Sequence, residues 1–382
     1  MFRLSARRYD TAQCVEISHA DGVLQSLTPI AERADLPWVA PGLVDLQLNG
    51  FGGIDFNAPT LTVEQVAEVA ASAAKFGVTS FLPTCTTDAL DALARSFGVI
   101  RRAVDSSSDL AAAIPGIHCE GPFICPEDGP RGAHPREHVR PPDWDVFARL
   151  QDAAGGLIKY FTMSPEYDAA PAFIAKAVAA GVRIAIGHTQ ATSDQIRAAV
   201  DAGATLSTHL GNGAHPRIKR HPNYIWDQLA DDRLTASLIV DGHHLPPAVV
   251  KTMIRAKSPA RIFLVSDATG LAGMPPGRYD TALGPVELLP EGKLVVAGQR
   301  DLLAGAAAML PVCVANAVRF ADLPWSTALD LAGKQPAAIL GRTAELAPGA
   351  AADLIFFRDP MRTGELVIER TIRRGREVFA QA

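Results

Sequence analysis

Arg183-Ile184-Ala185-Ile186-Gly187-His188, then Thr192-Ser193-Asp194-Gln195-Ile196, then Gly203, then Thr205-Leu206-Ser207-Thr208-His209: this stretch contains one whole strand–helix–strand unit. The first apolar run reads as a buried strand that closes on His188. Thr192 to Gln195 is a capping box, in which the hydroxyl and the glutamine side chain each satisfy a backbone N–H at a helix start. Ile196, Ala199 and Val200 follow at helical spacing, and Gly203 is a helix stop. The next strand closes on His209.

Working outward, the same alternation recurs. Eight strand candidates begin near Leu43, Val78, Gly116, Leu157, Val182, Thr205, Thr235 and Arg261. Thr62-Val63-Glu64-Gln65 is a second capping box, followed by Val66, Val69, Ala70, Ala73 and Phe76 before Gly77. Alternating strands and helices favour a parallel sheet, and eight units suggest closure into a (β/α)8 TIM-like barrel. Four strand patterns end in Glu120, His188, His209 and Asp267. Barrel strands aim their C-terminal ends at one face, so these residues converge although far apart in the chain. A carboxylate and two imidazoles suit a catalytic metal with an open position for water. Asp267 is then left to move protons.

Duller readings exist for each residue. A histidine at a strand end is usually an ordinary packed residue. Glu120 before Gly121-Pro122 could be a loop acid, and Asp267 before Ala268-Thr269-Gly270 a helix N-cap. Nine of the ten histidines, however, fall between His118 and His244. Together with the shared barrel face, that clustering favours a metal-dependent hydrolase.

The two ends of the chain read alike. Residues 1–42 carry short β pieces such as Gln13-Cys14-Val15-Glu16-Ile17. Residues 344–382 carry Leu354-Ile355-Phe356-Phe357 and Thr371-Ile372-Arg373-Arg374-Gly375-Arg376. The ends are expected to pair into one small β-sandwich domain beside an α/β barrel at 43–343. A β-hairpin insert is expected at about 277–298, with an Ala-rich helical pattern from Arg300 to Phe320.

At 382 residues, 48% hydrophobic and 20% charged, the chain has ample core. A net charge of −5 gives no basic field for nucleic acid. No apolar run approaches the length of a membrane span. The N-terminus lacks the apolar core of a signal peptide. Five scattered cysteines without a C-x-x-C pair argue for a reducing compartment, so the cytoplasm is expected.

Ala40-Pro41-Gly42-Leu43-Val44-Asp45-Leu46-Gln47-Leu48-Asn49-Gly50 resembles the first barrel strand of the amidohydrolase superfamily. The likeness continues through His118-Cys119-Glu120-Gly121-Pro122-Phe123, Gly132-Ala133-His134, Gly187-His188-Thr189, Thr208-His209-Leu210, Asp241-Gly242-His243-His244, Ser266-Asp267-Ala268-Thr269 and Leu303-Ala304-Gly305. More narrowly it is similar to the N-acetylglucosamine-6-phosphate deacetylase family. Many amidohydrolases place His-x-His on the first strand for a second metal. Here Gln47-x-Asn49 stands there, and amides are poor transition-metal ligands.

The resemblance implies one divalent transition metal per chain, Zn²⁺ by expectation, held by Glu120, His188 and His209. It implies Asp267 as catalytic acid–base and His134 as a catalytic and substrate-binding residue at the scissile carbonyl. Gln47, Ala133, Asn212, Gly213, His244, Leu303, Ala304 and Gly305 fall at its substrate-binding positions. Arg220 falls where the family places an arginine on the 6-phosphate, reached across a homodimer interface. The chain departs from the family at Leu210-Gly211-Asn212-Gly213-Ala214-His215, where an aromatic and Asn-Ala-Met are usual, which changes the pocket rim. The implied reaction turns N-acetylglucosamine 6-phosphate into glucosamine 6-phosphate and acetate. Alternatives are an amidohydrolase for an unphosphorylated amino sugar or another N-acyl amine, and a non-catalytic barrel.

Overall fold

The computed structural model describes residues 2–281 and 284–381. Met1 and Ala382, at the ends of the two terminal segments, and Ala282 and Leu283, in the insert, lie outside the described residues. Eight parallel strands run at Leu43–Leu48, Val78–Thr86, Ile117–Glu120, Ile158–Met163, Arg183–Ile186, Leu206–Ser207, Thr235–Leu238 and Ile262–Leu264, hydrogen-bonded in that order. Each begins within one residue of its expected start. The ring is fastened at its C-terminal end. There the Asp267 N–H donates to the Gln47 carbonyl at 2.9 Å, and the Asn49 N–H to the Ala268 carbonyl at 2.8 Å.

Alternation along the strands divides the core. Val44, Leu46, Leu82, Tyr160, Ala185 and Phe263 gather in one apolar cluster. Their chain neighbours Leu43, Phe81, Phe161, Ile184 and Ile262 join a larger one with the helices. Period-two strands buried on both faces require that arrangement. Both capping boxes form: Thr62 with Gln65 heads the helix Val63–Lys75, and Thr192 with Gln195 heads Ser193–Asp201.

The chain ends build one hydrogen-bonded sheet of seven strands. Its order is Arg376–Ala380, Ile368–Arg373, Leu354–Phe357, Trp38–Pro41, Phe2–Arg8, Cys14–Ala20 and Val23–Pro29. The two ends meet where Leu354 pairs with Pro41 and Phe357 with Trp38. Ala6, Val15, Ile17, Leu24, Val39, Leu354 and Phe356 give the sheet its own apolar cluster. It docks on the barrel through Thr371 Oγ1, which donates to the Ala74 carbonyl at 2.7 Å.

The segment after the last barrel strand is a four-stranded antiparallel sheet: Gly277–Thr281, Gly284–Leu288, Leu294–Val296 and Gln299–Leu303. Its last strand takes residues that read as the start of a helix. The helix instead begins at Leu310, with Pro311 in its first turn, where a missing N–H costs nothing. All five cysteines are buried and free. Among the described residues, no helix is long and apolar enough to cross a membrane.

Candidate active site

Three of the four strand-end residues leave their strands in an unusual way. His188, His209 and Asp267 have φ of 50°, 28° and 51°, left-handed values that side chains other than glycine rarely adopt. Each such residue costs on the order of 1–3 kcal/mol, strain of a kind that clusters at functional sites. It also breaks the strand alternation just where these side chains must turn toward a common point.

They do meet. Glu120 Oε1 lies 2.9 Å from His209 Nε2 and 3.0 Å from His188 Nε2, and the two Nε2 atoms are 3.2 Å apart. All three residues are buried. His188 Nδ1 is 2.9 Å from the Pro130 carbonyl, which can only accept, so Nδ1 carries the proton and Nε2 offers a lone pair. Burial pushes the Glu120 carboxyl up, but positive charge on the His188 and His209 side, when those rings are protonated toward it, outweighs burial and holds its pKa well below the ordinary range; with the rings neutral, another cation must take that place. An ionised oxygen and an imidazole lone pair at 3.0 Å repel each other unless a cation lies between them. The donor set therefore fits a divalent metal. Close approach is also built in, because a Cβ on Gly213 (φ 54°) would stand 2.7 Å from His188 Nδ1.

Glu120, His134 and His188 likewise offer ligand atoms within 4.8 Å of one another. His134 is nevertheless a poor third ligand. Its Nδ1 accepts the Thr87 backbone N–H at 3.3 Å, with Thr87 Oγ1 2.9 Å away, so the neutral ring carries its proton on Nε2. Burial and the neighbouring His188 lower its pKa to about 3, so the ring stays neutral. A neutral N–H donor suits a developing oxyanion better than a metal.

Asp267 Oδ1 accepts from Asn49 Nδ2 at 2.7 Å and from Gln47 Nε2 at 3.0 Å. Gln47 Nε2 also reaches Glu120 Oε2 at 3.1 Å. Gln47 thus ties both carboxylates together and Asn49 adds a second bond to Asp267, at the place where His-x-His would hold a second metal. Burial first, and the Glu120 charge second, raise the Asp267 pKa to about 6.

These groups floor a pocket of about 280 Å³. Ala133, His134, Asn212, Gly213, His244, Leu303, Ala304 and Gly305 line it as expected from the sequence. Gln47 does not; it sits behind Glu120 and Asp267. Arg220 is also absent from the lining, and no lysine or arginine is present there. Arg217 and Lys219 line a separate cleft of about 490 Å³ with His215, Tyr224 and Asp227.

Several lining residues escaped the sequence reading: Asp55, Asn57, Thr86 and Thr269. Asp55 ends the two-residue strand Ile54–Asp55 and Asn57 lies in the turn after it, a segment too short for any periodicity to mark them. Asp241 was within reach, because it stands three residues before His244. Its Oδ2 is 2.8 Å from His244 Nδ1. Against the effect of burial, that contact holds the Asp241 carboxyl at about 2 and fixes the ring of His244, which lines the pocket.

A model of the amidohydrolase family matches residues 38–378. The N-acetylglucosamine-6-phosphate deacetylase of Bos taurus is 34% identical over 347 residues, covering 86% of this chain and 83% of that protein. An N-acetylgalactosamine-6-phosphate deacetylase of Shewanella is 31% identical over 331 residues, covering 84% and 79%. The N-acetyl-D-glucosamine-6-phosphate deacetylase of Mycobacterium smegmatis superposes with a TM-score of 0.88 at 33% identity, over 99% of this chain and 100% of that one. An aspartate-to-alanine variant of that enzyme, in complex with N-acetyl-D-glucosamine-6-phosphate, gives 0.87 at 32% identity over 100% of each chain.

Proposed function

This chain belongs to the amidohydrolase family, and from that premise we propose that it hydrolyses N-acetylglucosamine 6-phosphate to glucosamine 6-phosphate and acetate. The observation that carries the reading is the convergence of Glu120, His188 and His209 beside Asp267 and a neutral His134, all on one pocket. Relatives named for the glucosamine and the galactosamine sugar both match, so the acetamide and the phosphate are the shared features of the substrate.

Glu120, His188 and His209 would hold one divalent transition metal, Zn²⁺ by preference for this ligand set, which supplies Lewis acidity to the amide carbonyl and to the attacking water. Asp267 does the proton work. Its Oδ1 is held by two amides, while Oδ2 has no hydrogen-bond partner among the described residues. Oδ2 takes a proton from the water and returns it to the leaving nitrogen, a role that a pKa near 6 suits. His134 Nε2–H donates to the carbonyl oxygen as charge builds on it. His244, fixed by Asp241, contacts the sugar, and the segment Leu303–Gly305 closes the wall.

Among the described residues, the pocket lining offers a phosphate no lysine or arginine. We place that role on Arg220 of the partner subunit in a homodimer. The loop from Pro216 to Pro222 is exposed and rich in cations, and beside it Trp226 is 50% exposed and Ile218 38% exposed. An aromatic anchor ringed by arginine is a common interface composition. A cytoplasmic enzyme with units at 1–42, 43–343 and 344–382 completes the reading, supported by the buried free thiols and the shared terminal sheet. The deciding experiment is a deacetylation assay on N-acetylglucosamine with and without the 6-phosphate, and on the phosphorylated galacto epimer. Equal turnover of the sugar without phosphate would overturn phosphate recognition. Loss of all three activities in metal-replete enzyme would overturn the deacetylase reading.

A further inference from the structure

At the end of the barrel opposite the catalytic residues, the seven-stranded sheet leaves a cleft of about 610 Å³. Arg342, Arg373, Arg374 and Arg376 line it, against the carboxylates of Asp21 and Asp109. One wall is a pair of tight turns packed together: Gly22 lies so close that a Cβ would stand 3.1 Å from the Arg374 carbonyl oxygen. The other wall is the barrel's own N-terminal face, at Ser108, Pro115 and Arg342.

Arg373 is the buried member, 2% exposed. Its Nε donates to the Thr79 carbonyl at 2.8 Å and its Nη1 to Asp109 Oδ2 at 3.2 Å. Its Nη2 is buried with no partner, and so is Nη1 of Arg342. Among the described residues no ion pair engages Arg342, Arg374 or Arg376. A third carboxylate, Asp353, uses Oδ1 to accept the Arg374 backbone N–H. Buried charged donors left unpaired are costly, and like charges gathered in one cleft add to that cost. Asp109 pairs with Arg373, so the guanidiniums of Arg342, Arg374 and Arg376 are the ones left to face an anion, with Asp21 and Asp353 nearby.

We propose that this cleft binds a phosphate group, carried by a small phosphate monoester or as free phosphate, and that the bound anion clamps the terminal sheet to the barrel. A guanidinium presents its N–H donors in a planar fork that matches phosphate oxygens, which a scatter of lysines would not. Arg342 follows the barrel's last helix, whereas Arg374 and Arg376 sit in a sheet hairpin, so one anion shared among them bridges the two units. The cleft is separate from the catalytic pocket and shares no lining residue with it.

The test is calorimetric titration of the metal-loaded enzyme with inorganic phosphate and, separately, with glycerol 2-phosphate, at constant ionic strength. The same titrations are run on R342Q/R376Q. R374Q, altered at an exposed side chain, serves if the double variant folds poorly. The wild type should bind with saturation, and the variant about tenfold or more weakly, the worth of charge-assisted bonds lost. The kcat/KM of the variant should stay within about twofold of wild type, because neither residue approaches the catalytic pocket. The probe that binds more tightly identifies the source of the phosphate. Identical isotherms in wild type and variant would assign the binding to the catalytic pocket and overturn the proposal. So would the absence of saturable binding of either probe to the wild type.

Discussion

The catalytic pocket and the loop around Arg220 are joined directly through His209 to Ala214, yet they present opposite electrostatics. The pocket gathers Glu120, Asp267 and Asp55 with imidazoles and contains no lysine or arginine. The loop carries Arg217, Lys219, Arg220 and His221, exposed and turned to a different cleft or to solvent. A phosphorylated acetamide needs both environments, an anionic cradle for the metal and proton donors, and a cationic one for the phosphate. The chain supplies the first in the pocket, whereas its cationic loop lies outside the pocket lining. On the proposed reading, deacylation and phosphate recognition are separable.

Removing a ligand tests the pocket most severely. His209→Ala should release the metal and lower kcat/KM by roughly 10⁴-fold or more, given the several kcal/mol a Lewis acid contributes. Elemental analysis should then fall from about one metal per chain to near zero, as expected of a single open site. Full metal retention would move the ligand role to His134.

Asp267→Asn comes next. It should keep the metal and cut kcat by roughly 10²–10⁴-fold, the usual worth of a positioned proton-transfer group. In the unmodified enzyme Asp267 must be ionised to accept a proton. Its pKa is raised to about 6, so kcat/KM should fall as the pH drops below that value. A cation beside Glu120 draws the limb lower, never higher. An acid limb above pH 7 would assign the proton transfer to another group.

On the other side of the comparison, Arg220→Ala should lower kcat/KM for the phosphorylated sugar by about 10–100-fold, as loss of charge-assisted hydrogen bonds does. Turnover of the unphosphorylated sugar should not change. Equal losses on both would make the loop a general structural element. The smallest effect belongs to a position remote from both regions. Thr62→Ala removes a capping box and should cost ~1 kcal/mol of stability, read by denaturant unfolding, with kcat/KM unaffected.

The residues legible in the sequence share one property: each terminates a strand whose periodicity is local. Glu120, His188, His209 and Asp267 could be selected because a short apolar run led up to each. His134 has no such run and became visible only through its resemblance to a family motif. Asp55 and Asn57 had neither aid, since the short segment that holds them carries no period, and Thr86 ends a barrel strand with a side chain that signals no metal or acid–base chemistry. Gln47 was legible as a replacement for a metal ligand. Its work between Glu120 and Asp267 was not, because its partners lie 73 and 220 residues away.

By itself the sequence determined the alternation of strands and helices, the positions where helices begin and the side chains that end the strands. Those are set by hydrophobic period and by capping within a few residues, which act before any distant contact forms. Only the tertiary structure decided that Asp267 closes the barrel on Gln47, that Thr87 fixes the proton of His134 on Nε2, and that, among the described residues, no lysine or arginine lines the pocket. These depend on burial, which removes water as a partner and forces each polar group to settle with whichever neighbours the fold has brought within about 3 Å.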